Sequence, residues 1–83
     1  MHPAVISVVC KPDYVLSVVF DNDECGVLDM SPYLDFGVFK KLLEPGAFET
    51  AHVSFGTIAW KSGADLAPEF VYEKCLKANM KKT

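Results

Sequence analysis

From Ala4 to Met30 the chain passes through three short apolar runs separated by two polar corners. Few architectures other than an antiparallel meander accommodate that pattern. Ala4–Cys10 is rich in β-branched residues and reads as a first strand. Lys11-Pro12-Asp13 forms a turn, because proline presets φ and aspartate can hydrogen-bond its own backbone. Tyr14–Phe20 is the second strand, with Tyr14, Leu16, Val18 and Phe20 alternating with Val15, Ser17 and Val19. Asp21-Asn22-Asp23-Glu24 is a polar hairpin loop, and Cys25–Met30 returns as the third strand. The second face of this meander would carry Val5, Val9, Val15 and Val19 with Ser7 and Ser17. It is small and apolar, whereas a solvated face carries more lysine, glutamate or threonine. Both faces are therefore expected to be covered, one by helices and the other by a further part of the fold or by a partner subunit.

The remainder alternates short helical and extended signals. Ser31-Pro32-Tyr33-Leu34 has a serine in cap position and proline at the first helical position. Val38–Leu43 is expected to be a short helix, ended by Pro45-Gly46, with Phe48 plugging the core. Ala51–Phe55 and Thr57–Trp60 flank Gly56 as a second hairpin that lacks an Asn-Gly type turn signature. Pro68 opens a last helix expected to run to about Asn79. Val71, Tyr72, Cys75, Leu76 and Asn79 share one face, and Phe70 lies off that stripe, packed on the preceding turn or exposed. Residues 79–83 are expected to fray. Strands first and helices after give a single two-layer α+β domain over residues 1–83.

Composition narrows the function. A chain of 83 residues supports one small core, and 51% hydrophobic residues is high for that length. The excess favours dense packing or a surface covered by another copy, so a homo-oligomer is expected. Eight lysines, eleven acidic residues and no arginine argue against a surface that reads nucleic acid. No apolar run approaches the ~20 residues that span a bilayer, so no membrane association is expected. Three widely spaced cysteines and no signal-peptide pattern after Met1-His2-Pro3 point to reduced thiols in a cytoplasmic protein.

Candidate chemistry is sparse. Asp21, Asp23 and Cys25 occupy alternate places of a calcium-loop spacing, but the bidentate glutamate position holds Pro32, and thiols bind calcium poorly. His2 and His52 form no zinc spacing with the cysteines. No serine sits in an elbow motif, and Ser62-Gly63-Ala64 lacks the second glycine and the lysine of a phosphate loop. No catalytic residue, metal or cofactor is expected. One stretch, Ile58–Tyr72, gathers specialised residues: Trp60, Lys61, Asp65, Glu69 and Tyr72, with Phe70 beside them. Local structure accounts for these types as well. Asp65 can accept helix-start amides or brace its turn, Trp60 can anchor the core, and Tyr72 can pack beside it.

The pieces Phe20-Asp21-Asn22-x-Glu24, Asp29-Met30-Ser31-Pro32-Tyr33-Leu34, Gly37-Val38-Phe39, Ile58-x-Trp60-x-x-Gly63-Ala64-Asp65-Leu66-x-Pro68 and Tyr72 together resemble the small bacterial family filed as domain of unknown function number 2442. The resemblance covers nearly the whole chain. It implies a compact α+β domain, often encoded on mobile or accessory DNA, with some members resembling antitoxin-like partners of small neighbouring proteins. It supplies no catalytic residues. Asp23 stands where the family usually has glycine and Lys61 where proline is common, and the first implies a looser hairpin. No helix-turn-helix segment is expected beyond Lys82. The expected function is a non-catalytic protein-interaction module that self-associates. The alternatives are a small-ligand or enzyme site around Trp60, Asp65, Glu69 and Tyr72, and a nucleic-acid accessory protein.

Overall fold

In the computed structural model, which describes residues 2–78, Val5–Lys11 (β1), Val15–Phe20 (β2) and Cys25–Asp29 (β3) form the expected antiparallel meander. The alternation in β2 is decisive: Leu16, Val18 and Phe20 are fully buried. Tyr14 is not in the strand. It shares the β1–β2 turn with Asp13, both in left-handed backbone (φ 62° and 66°), and its ring packs edge-on against Phe48. The β2–β3 connection is tighter than the resemblance implied. The Asp23 amide donates to the Phe20 carbonyl at 3.1 Å, and Asp23 itself takes the left-handed conformation (φ 71°) that glycine would favour.

Two further corrections concern the meander. A bulge between Val5 and Ser7 turns Val5 into the core, so it does not belong to the second face. The sheet also has a fourth strand. The last helix, Pro68–Lys74 (α1), stops well before Asn79, Cys75 adopts extended backbone, and Leu76–Ala78 (β6) pairs antiparallel with β3. A seven-residue helix has little cooperative strength of its own, whereas β3 would otherwise leave a row of unpaired amides and carbonyls. Strand pairing wins. Asn79 and the tail expected to fray lie outside the described residues.

Between sheet and helix the chain makes tight 3₁₀ turns rather than the expected short α-helix. These span Ser31–Tyr33, Gly37–Leu43 and Phe48–Thr50. Ser31 is not the cap. Asp29 accepts from the Ser31 amide and hydroxyl at 3.0 and 2.7 Å, which also holds its carboxyl below the usual aspartate range. The second hairpin is His52–Ser54 (β4) and Thr57–Ala59 (β5). Its two-residue turn, Phe55-Gly56, has φ of 49° and 75°, the primed geometry that sequence signals do not reveal here. These turns, the hairpin and α1 cover one face of the sheet, burying Leu34, Leu42, Phe48, Ile58, Trp60 and Val71. The two-layer α+β architecture follows from that packing.

Candidate functional site

The Ile58–Tyr72 stretch begins at the end of β5. Trp60 is buried there between Phe39 and Phe48, and its Nε1–H donates to the Phe48 carbonyl at 3.1 Å. A buried indole needs one acceptor, and this carbonyl provides it. The chain then reverses. The Gly63 amide donates to the Trp60 carbonyl, the Trp60 amide to that of Ala64, and the Leu66 amide to that of Ile58, all within 3.0 Å. Gly63 takes φ 101°, which a side chain would resist. Lys61 is exposed, and its backbone amide donates to Thr50 Oγ1 at 3.0 Å.

Asp65 does not do what its position suggested. It pairs by backbone with Ala59, but its carboxylate is exposed and makes no hydrogen bond or ion pair with any described residue. The α1 start has Ala67 as its cap without a side-chain acceptor, and Pro68 at the first turn removes one amide that would need one. Glu69 is exposed, with its carboxylate 3.8 Å from the His2 ring.

Tyr72 packs edge-on against Phe20, not beside Trp60. Its hydroxyl donates to Glu24 Oε1 at 2.5 Å, and this bond holds the phenol above its ordinary range. Asn22 braces the same carboxylate at 3.0 Å and accepts from the Glu24 amide at 3.1 Å. The acidic hairpin therefore serves as a seat for α1. Among the described residues no three His, Cys, Asp or Glu side chains are grouped to hold a metal ion, and no helix is long and apolar enough to cross a membrane.

The six candidates thus separate. Trp60 faces the core, Tyr72 the acidic hairpin, and Lys61 and Glu69 solvent. Asp65 and Phe70 come together, lining an open apolar groove of about 180 Å³ with Phe39, Leu66 and Ala67. Phe70 is half-buried, edge-on to Tyr33, and Phe39 is edge-on to Trp60, so both aromatic walls are fixed from behind. Sequence reasoning found Asp65 and Phe70 but not this groove, since Phe39 comes from a distant 3₁₀ segment.

Large apolar side chains also stand open elsewhere, Phe36 and Val38 at the start of the second 3₁₀ turn among them. The sheet face turned away from the helices carries Val9, 52% exposed, and Val27, 43% exposed, aligned across Ser17. Val15 and Val19 flank them, and Ile6 at the bulge is 57% exposed. Phe55, at the β4–β5 tip, is fully exposed in strained backbone, although a glycine follows it and asparagine or glycine is the residue type that this place favours.

No curated protein and no solved structure matches the chain. A family model described as "Protein of unknown function (DUF2442)" matches residues 5–77. The matched span runs from β1 into β6, and the chain belongs to this family.

Proposed function

We propose that this protein is a non-catalytic interaction module that associates with a second copy through the open face of its sheet. The observation that carries this reading is the row Val9–Ser17–Val27, flanked by Val15 and Val19, on a face that no described residue covers. At one end Lys11 and Asp29 stand on either side of Val15. Small side chains keep the face flat, which suits packing against an identical sheet. Covering it would remove apolar surface from water at ~25 cal/mol per Å². An antitoxin-like pairing with a different small protein would draw on the same face. The small-ligand alternative has less support, because Trp60, Asp65, Glu69 and Tyr72 point to separate places.

Light scattering across a concentration series tests the proposal. The expected result is a mass above the 9.2 kDa of one chain that falls to the single-chain value on dilution and in Val27→Lys, with the fold retained. A wild-type protein that stays at one chain at the highest concentration, with no hydrophobic-dye binding, refutes it.

A further inference from the structure

We infer that Cys75–Ala78 is a two-state latch, pairing as β6 with β3 in one state and adding a turn to α1 in the other. The inference stands apart from self-association, since it concerns the edge of the sheet and not its open face.

The hinge is a single torsion. The Cys75 amide still donates to the Val71 carbonyl at 3.0 Å, the i→i−4 bond of a continuing helix. Its φ of −73° is helical as well, and only its ψ of 131° is not. Rotating that one angle to about −42° sends the following residues on along α1. The sequence does not forbid it, because neither proline nor glycine lies between Val71 and Ala78. The Tyr72–Glu24 joint lies before the hinge, so α1 keeps its seat while the latch moves.

Local preference and strand pairing pull this segment in opposite directions. Leu, Lys and Ala are among the strongest helix formers, and Lys and Ala are depleted in strands. Leu76-Lys77-Ala78 is therefore a helical sequence held as a strand by β3. Val71, Tyr72, Cys75 and Leu76 keep the helical period, so elongation would set Leu76 on the stripe that Val71 begins. The strand state rests on a short register, Cys25 with Ala78, Gly26 with Lys77 and Val27 with Leu76. Helix elongation adds about one turn without a new nucleus, the costly step in helix formation. Two alternatives that each gain so little can coexist. The helical state would strip β3 of its partner over Cys25–Val27. An unpaired edge of that kind accepts an extended segment of another chain by main-chain hydrogen bonds.

Carbon-13 relaxation dispersion and saturation transfer on the full chain test this, with wild type beside the double variant Lys77→Thr with Ala78→Val. The expected wild-type result is a minor state of roughly 1–10%. Its Cα shifts at Leu76 and Lys77 should move to helical values, at the same rate as amide shifts across Cys25–Val27. Threonine and valine favour strand over helix, so the double variant should hold that population at least ~5-fold lower. Minor-state shifts at random-coil values mean that β6 merely frays, and they overturn the inference. So does the absence of a minor state, or a population that the double variant leaves unchanged.

Discussion

Replacing Trp60 with phenylalanine and, separately, Asp65 with asparagine distinguishes a structural residue from one that the fold does not use. The indole N–H is the main donor to the Phe48 carbonyl, at 3.1 Å in a buried setting. Losing it costs about 1 kcal/mol, the lower end for a stranded buried acceptor, because the Cys10 thiol also donates to that oxygen at 3.4 Å. The smaller ring leaves a void between Phe39 and Phe48. Full truncation of a buried Trp costs ~3–5 kcal/mol, so losing roughly a third of the side chain costs about 1–1.5 kcal/mol. The sum is ~2–2.5 kcal/mol, against the ~4–12 kcal/mol expected for a domain of 83 residues. At ~4–8 °C per kcal/mol the melting temperature should fall by ~10–20 °C. Asp65→Asn should stay within ~0.5 kcal/mol of wild type, as exposed and unbonded side chains do. Urea unfolding followed by far-UV circular dichroism reads both variants on one scale, without relying on the tryptophan signal. Comparable losses in the two variants, or a Trp60→Phe loss below ~0.5 kcal/mol, would refute the assignment.

Gly56→Ala should destabilise by about 1–2 kcal/mol, since it places a side chain at φ 75° with its Cβ 3.2 Å from that of Ala4. Denaturant unfolding checks it, and a neutral result would mean that the tip relaxes away from β1. Tyr72 should ionise above the ordinary tyrosine range of about 10. Because the folded-state value is raised, the contribution of its bond to Glu24 is complete below that range and disappears as pH rises through the folded value. An ultraviolet titration of wild type against Tyr72→Phe reads this directly. A Tyr72 transition at or below 10 contradicts it.

The strand pattern was legible because burial on one face imposes a period of two, and Leu16, Val18, Phe20 and Leu28 obey it without exception. Trp60 and Phe48 were legible as core for the simpler reason of size. The end of α1 was not. Val71, Tyr72, Cys75 and Leu76 keep a helical period past Lys74, and only the open edge of β3, about fifty residues earlier, explains why the chain leaves the helix. The role of Tyr72 was hidden in the same way, since Glu24 lies 48 residues away. The groove was invisible because no sequence window contains both Phe39 and Phe70. Of the candidate site, sequence reasoning found the residue types but not their separation.

The residues by which this chain resembles its family are mostly joints. Glu24 and Tyr72 seat the helix on the meander, Asp29 accepts from the Ser31 amide and hydroxyl, Phe39 and Trp60 pack edge to face, and Gly63 permits the reversal after β5. Each of these roles is met inside the chain, so the motif is accounted for by the fold. Exposed apolar residues lie outside that motif on the surface, Val9 and Val27 on the open sheet face and Phe55 at the hairpin tip among them. Asp65 is a motif residue with an exposed side chain. It carries the family resemblance, yet its carboxylate meets nothing among the described residues and stands on the rim of the groove that it lines with Phe70. Its place in the motif is therefore accounted for by its backbone, which pairs with Ala59 and holds the reversal after β5, and not by its carboxylate.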